Sequence, residues 1–259
     1  MPITEALLEA TFVLWGLCIG SFLNVCIHRV PLRQSVASPR SRCPQCGYQL
    51  SWKDNVPVLS YALLRGRCRS CANPISLRYP IIEIVTGLVF LLHWQVFGPT
   101  PLLLVRTAFA CALIVHFMID LEHQILPDVI NFPGIVIGFV CSLFLPPGPI
   151  QSLLGIVVGG GLLWAIAEIW FRLRKVDAMG FGDVKMLAMI GAFLGVKMVI
   201  LTFVLSSLVG GVIGAILIAS RRGGMATRVP YGTMLAAAAL VASLYGDRLL
   251  AWYLGLMQV

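Results

Sequence analysis

Unbroken apolar stretches long enough to cross a bilayer run through this chain and decide what it can become. A membrane-crossing helix needs roughly 20 such residues, fewer where its ends are polar. Eight runs qualify, over about 6–27, 80–97, 101–120, 129–145, 150–171, 183–196, 198–220 and 230–257. Only Lys197 separates the sixth from the seventh, so that pair reads either as two helices or as one long bent helix. Each run must be helical, because an open strand edge finds no hydrogen-bond partner in lipid. Of the 259 residues, 59% are hydrophobic and only 12% charged, against about 25% charged in soluble domains. That excludes an ordinary soluble enzyme, and disorder needs the opposite composition. The expected fold is an all-α polytopic membrane protein of about eight transmembrane helices, with the lipid bilayer as its surroundings. Glu5 and Glu9 stand where a signal peptide carries basic residues, so the first run is read as a retained span.

The placement of basic residues orients the spans. The loop over residues 29–79 holds Arg29, Arg33, Arg40, Arg42, Lys53, Arg65, Arg67, Arg69 and Arg78 against one acid, Asp54. The loops 172–175 and 221–228 are also basic, and the turns 98–101 and 146–149 carry no charge. Alternation puts the three basic loops on one side, which the positive-inside rule makes the cytoplasm. The formal charge of +8 is then a topology signal, and no nucleic-acid partner is expected. The layout becomes residues 1–28 as a first transmembrane helix, 29–79 as a cytoplasmic insert and 80–259 as a transmembrane bundle.

The insert reads Cys43-Pro-Gln-Cys46-Gly47, then Cys68-Arg-Ser-Cys71. Two such pairs suit a tetrahedral four-thiolate zinc site. In a cytoplasmic loop disulfides are the weaker reading. Four cysteines leave no open coordination position, so the zinc is expected to be structural and to stabilise an insert too small to fold on its own core. Cys18, Cys26, Cys111 and Cys141 fall within or beside spans and read as small apolar residues.

Acids at span ends are costly and invite a functional reading. Asp120 closes the third span and Asp183 opens the sixth, in Gly180-Phe-Gly182-Asp183-Val-Lys185, both at the cytoplasmic face. Two carboxylates in one small site share a proton, one acting as base towards water and the other as acid. Gly180 and Gly182 suit such a site by close approach and by φ values closed to other residues. Helix-end electrostatics predicts the shared proton on Asp120, at a negative pole, with Asp183 as base.

Plainer roles are expected elsewhere. Asp128 caps the fourth helix, although Asp183 too has the position of a cap. Glu122 and His123 are solvated, Glu168 pairs with Arg172, and Arg106 snorkels to the outer face. His116 is a packed interface histidine. The pairs Gly134/Gly138, Gly155/Gly159, Gly191/Gly195 and Gly210/Gly214 read as close helix contacts rather than nucleotide loops. Glu83, at the inner end of the second span, is the acid least easily assigned to packing.

Six motifs in order resemble the bacterial type IV prepilin peptidases: Gly20-Ser-Phe-Leu-Asn-Val25, Arg29-Val-Pro31, the paired cysteines, Arg78-Tyr-Pro-Ile-Ile-Glu83, Asp120 with Pro127-Asp128, and Gly180-Phe-Gly-Asp183-Val-Lys185. The resemblance implies an inner-membrane GxGD-type aspartic endopeptidase that cuts the basic leader from prepilins or pseudopilins on the cytoplasmic side. It implies Asp120 and Asp183 as catalytic residues, with Gly180, Gly182 and Lys185 supporting their loop, and Cys43, Cys46, Cys68 and Cys71 as zinc ligands. It also implies N-methylation of the new terminus from S-adenosylmethionine, with Glu83 a candidate contact for methyl donor or substrate amine. Glu122, Asp128 and Asp177 are available to a basic leader, and Lys185 to the Glu that follows the cut. Readings from other classes are a metal or small-solute transporter with a metal-binding insert, or a non-catalytic scaffold. Transporters place their acids near the midplane, which these acids are not.

Overall fold

The computed structural model describes residues 3–175, 180–220 and 230–257. Among them are eight α-helices and no strand beyond two isolated bridges. They are α1 (Ile3–Arg29), α2 (Leu59–Leu63), α3 (Arg78–Phe97), α4 (Pro101–His123), α5 (Asp128–Ser142), α6 (Pro149–Arg174), α7 (Phe181–Ala219) and α8 (Tyr231–Met257). The basic loop 221–228 and Asp177 lie outside the described residues.

Six helices are long and apolar enough to cross a membrane: α1, α3, α4, α6, α7 and α8. The run expected over 129–145 forms α5, whose 15 residues make only about 22 Å of helix. That is less than the roughly 30 Å of a hydrocarbon core. The long run from 183 to 220 is one continuous element interrupted at Gly195 (φ 79°, ψ 177°), not at Lys197. Gly195 bends there beside Pro147, and a Cβ at that position would lie 3.0 Å from the proline ring. Counting α7 as two segments and including the short α5 accounts for the eight apolar runs read from the sequence, six helices being long enough to span.

Polarity is inverted relative to a soluble fold. Phe144 is 83% exposed and Leu208 62%, while His116, Asn131, Thr202 and Ser206 are fully buried. Lipid outside and polar groups inside is the arrangement a bilayer favours. Local signals end the helices. Gly98, at φ 57°, closes α3 by donating its amide to the Trp94 carbonyl. Pro149 opens α6 at a position where a missing N–H costs nothing.

The chain divides into two compact units, one up to Leu103 and one from Leu104. In the first, α1 packs along α3, where Gly16 and Gly20 let the backbones approach. In the second, α7 is central and packs against α5, α6 and α8. Its core includes Phe109, Leu113, Leu163, Met186, Leu187, Ile190, Leu235 and Ala239. Most of the small-residue pairs act as expected. Gly155 meets the backbone of Gly191, a Cβ on Gly159 would strike the Leu187 carbonyl, and Gly134 and Gly138 face Met189 and Phe193. Gly210 faces Met234, but Gly214 has nothing within 4 Å and makes no such contact. Arg106 corrects the sequence reading more sharply. It is buried, only 9% exposed, with Asp247 of α8 near enough for its charge to act on it, instead of reaching an outer surface.

Candidate active site and cysteine cluster

Each cysteine pair is folded by its own turn. The Cys43 amide donates to the Tyr48 carbonyl at 2.8 Å, and Gly47, at φ 72°, returns its amide to Cys43 at 3.0 Å. The second turn repeats the pattern. Cys68 donates to Asn73 at 2.8 Å, and Ala72, at φ 55°, returns to Cys68 at 2.9 Å. The four sulfur atoms lie within 4.8 Å of one another, all free, and Cys43 Sγ is 3.9 Å from Cys71 Sγ. Four sulfurs about 2.3 Å from a central zinc in a tetrahedron stand roughly 3.8 Å apart. The cluster therefore fits a tetrahedral metal ion.

Asp54, the single acid of this loop, ties the two turns together. Its buried carboxylate accepts from the Ser51 hydroxyl at 2.7 Å and amide at 3.1 Å, from the Tyr48 hydroxyl at 3.3 Å and from Arg69 Nε at 2.6 Å. Tyr48 follows the first cysteine pair and Arg69 lies inside the second. The Ser51 hydroxyl first, and then the Arg69 guanidinium, hold the Asp54 carboxyl down at about 2. Sequence reasoning used this residue only as a charge count.

Asp120 lies near the end of α4 and is 5% exposed. Its Oδ2 accepts the Thr233 amide at 2.6 Å and the Thr233 hydroxyl at 3.0 Å. The Gly232 amide faces the same carboxylate. These groups belong to the first turn of α8, whose amides have no partner within the helix. An anion at such a terminus is a common solution. Gly232 also leaves room, because a Cβ there would sit 3.1 Å from Asp120 Cγ. Thr233 and Gly232 were hidden in a stretch read only as a span. The signal was a Gly-Thr pair directly at the start of an apolar run.

Asp183 occupies the first turn of α7 and is 8% exposed. Asp120 stands close enough for its charge to act on Asp183. The two aspartates singled out in the sequence are therefore brought together. The two glycines before Asp183 differ in their surroundings: a Cβ on Gly180 would be in ordinary contact, 3.5 Å from Asp183 Oδ2, whereas one on Gly182 would press on Leu126 at 3.0 Å.

Lys185 does not face Asp183. Its Nζ reaches both oxygens of Asp128 at 2.8 Å and lies over the Phe132 and Phe181 rings. Asp128 is thus an ion-pair partner, not a side-chain cap, and makes no capping hydrogen bond. The pair joins the start of α7 to the start of α5. Glu168 and Arg172 form the expected pair at 2.7 Å, and His116 is fully buried as a packed histidine. Glu122 and His123 are exposed, 4.0 Å apart. Glu83 accepts the Val58 amide at 2.7 Å, so its carboxylate fastens α3 to the loop before α2.

These features define a class: a helical membrane protein with a buried aspartate pair at helix ends and a separate four-cysteine cluster. Two family models match the chain in tandem, the bacterial peptidase A24 N-terminal domain over residues 14–97 and the type IV leader peptidase family over residues 107–215. The chain is 41% identical over 218 residues to a prepilin leader peptidase/N-methyltransferase of Myxococcus xanthus, covering 83% of this chain and 65% of that protein. It is 36% identical over 270 residues to the namesake from Stutzerimonas stutzeri, with 92% and 91% covered. The Pseudomonas aeruginosa relative of the same name is 34% identical over 267 residues, with 93% and 92% covered. The chain thus spans just under two thirds of the first relative and about nine-tenths of the other two. No solved structure matches it. The chain belongs to the type IV leader peptidase family.

Proposed function

We propose that this chain is a prepilin leader peptidase whose catalytic pair is Asp120 and Asp183, and that it also N-methylates the terminus it exposes. The observation that carries the reading is the meeting of these two buried aspartates, each at a helix end, beside Gly182 and Gly232, where a Cβ would crowd Leu126 and Asp120. The hydrogen bonds revise the division of labour within the pair. Hydrogen bonds to a charged group contribute about 1.5–3 kcal/mol each. Asp120 has two from Thr233, whereas a helix terminus is worth up to about 2 kcal/mol even when partly buried. Asp120 is therefore the carboxylate and Asp183 carries the shared proton, the reverse of the helix-end expectation.

Asp120 takes a proton from water as the hydroxyl adds to the scissile carbonyl carbon. Asp183 gives its proton to the carbonyl oxygen. The proton gained by Asp120 then goes to the leaving nitrogen as the carbon–nitrogen bond breaks, and the new carboxyl product returns a proton to Asp183. The four cysteines hold a structural zinc ion, which adds folding energy to the insert and takes no part in cleavage. S-adenosylmethionine supplies an electrophilic methyl group for the second activity. The substrates are prepilins or pseudopilins, in the setting of a type IV pilus or type II secretion. The basic loops support a cytoplasmic setting for the insert and the aspartates, in the bacterial inner membrane.

Co-expression with a prepilin, scored by mass spectrometry, tests both activities at once. Leader loss and a gain of one methyl group are expected. An uncut prepilin refutes the peptidase, and a cut but unmethylated product refutes the methyltransferase.

A further inference from the structure

Exposed apolar side chains are expected along the spans, but one group of them lies in the insert. α2 is little more than one turn of helix, and its sequence divides it into two faces. Tyr61 turns inward: its hydroxyl donates to the Ile75 carbonyl at 3.3 Å and occupies the space a Cβ on Gly66 would need. Leu59, Ala62 and Leu63 share the opposite face, since residues three and four apart on a helix are neighbours. All three are exposed, Leu63 by 74%. The short turn Trp52–Asp54 packs against α2 and adds Trp52, 71% exposed, with Lys53 Nζ 5.6 Å from the centre of its ring. A contiguous exposed apolar group of this kind marks an interaction surface.

Two observations say what covers it. The first is its level. The amide of Val58, the residue before α2, donates to Glu83 at 2.7 Å. Glu83 is five residues into the spanning helix α3, or about 8 Å along its axis. The start of α2 is therefore fixed beside the second turn of a membrane helix, at the level of the bilayer surface. The second is charge. Lys53, Arg65 and Arg67 are exposed around the apolar face. The one acid of the insert, Asp54, is buried and engaged by Arg69, so no free carboxylate opposes them. Leucines beside an indole, flanked by cations, form the pattern of a segment lying in the interface of an anionic leaflet.

We infer that the face formed by Trp52, Leu59 and Leu63 is embedded in the membrane surface, at the boundary of headgroups and acyl chains, with Lys53, Arg65 and Arg67 on anionic phospholipid headgroups. The insert is then held by α1, by α3 and by this third contact, which fixes the height of the cysteine cluster above the bilayer. The inference does not depend on either enzymatic activity.

The test uses full-length protein in nanodiscs containing phosphatidylglycerol and lipids brominated at the upper, middle or lower part of the acyl chain. Trp52→Phe, measured beside wild type, isolates the emission of Trp52 from that of the other tryptophans. That emission is expected to be blue-shifted and at least halved by bromine high on the chain, with progressively less quenching from deeper bromine. Leu63→Glu should abolish the quenching while leaving the reactivity of the four insert thiols unchanged, which shows the insert still folded. Lys53→Gln combined with Arg65→Gln should remove the extra quenching that phosphatidylglycerol gives over zwitterionic lipid. Emission quenched by aqueous acrylamide and by no brominated lipid leaves the face in water and overturns the proposal. Emission shielded from both means that protein covers the face, a second copy if shielding requires two chains per disc, and overturns it too. Quenching of Trp52 that survives Leu63→Glu overturns the shared face with α2.

Discussion

Thr233 donates both its backbone amide and its hydroxyl to one oxygen of Asp120, at 2.6 and 3.0 Å. The first turn of α8 thereby fixes the carboxylate that ends α4. Thr233→Val keeps the amide and the shape and removes only the hydroxyl. One hydrogen bond to a charged group is worth about 1.5–3 kcal/mol, so leader cleavage should fall roughly 10- to 100-fold. Thr233→Ser should restore most of it. Cleavage rates on a synthetic prepilin in the same lipid measure both.

On the proposed assignment, the same bond favours an ionised Asp120 and leaves the shared proton on Asp183. With Asp120 ionised, Thr233→Val should shift an ionised-carboxylate band in the infrared spectrum and leave the protonated carboxyl band in place. A shift of the protonated band instead would return the proton to Asp120.

Lys185 reaches both oxygens of Asp128 at 2.8 Å, so its first role is to join α7 to α5. Exposed ion pairs contribute only about 0–1 kcal/mol, and Asp128 is more exposed than Lys185. Lys185→Glu alone should impair cleavage because two acids would then meet. Adding Asp128→Lys should recover much of the rate, equally for substrates with and without a Glu after the cut. Recovery confined to substrates lacking that Glu would show that Lys185 receives the substrate carboxylate.

The eight apolar runs, the cysteine spacing and both aspartates were legible because each is a local pattern. Runs of apolar residues impose helix, and paired cysteines announce a ligand set. What was not legible depends on which helices meet. Thr233 is 113 residues from Asp120, so its role needed the packed structure. Arg106 was placed outward because its burial, with the charge of Asp247 near it, depends on a helix far along the chain. Asp128 followed the cap rule until Lys185, 57 residues away, supplied a cation. Close approach was expected at Gly182, but that Leu126 is what approaches it depends on the packed structure.

Asp54 gives the insert a pH dependence with a defined sign. Its carboxyl lies at about 2 in the folded protein, against an unfolded value of about 3.9. A lowered value means the stabilisation is fully present above about pH 4 and lost as pH falls towards 2. Thermal unfolding of the insert, compared between wild type and Asp54→Asn, should differ at neutral pH and converge over that interval. Taking the difference cancels the acid sensitivity of the cysteine cluster, which both proteins share. A difference that persisted unchanged to pH 2 would count against the carboxylate as the tie between the two cysteine turns.

The aspartate pair is tested most directly by replacing each carboxylate with its amide. Asp120→Asn and Asp183→Asn preserve size and remove one ionisable group apiece. Each purified variant, shown to be folded, is incubated with a full-length prepilin, and leader release is followed by mass spectrometry. Because water activation and carbonyl protonation need both groups, each single change is expected to abolish release while wild type completes it. Release by either variant at a rate near wild type would contradict the pair as the catalytic centre.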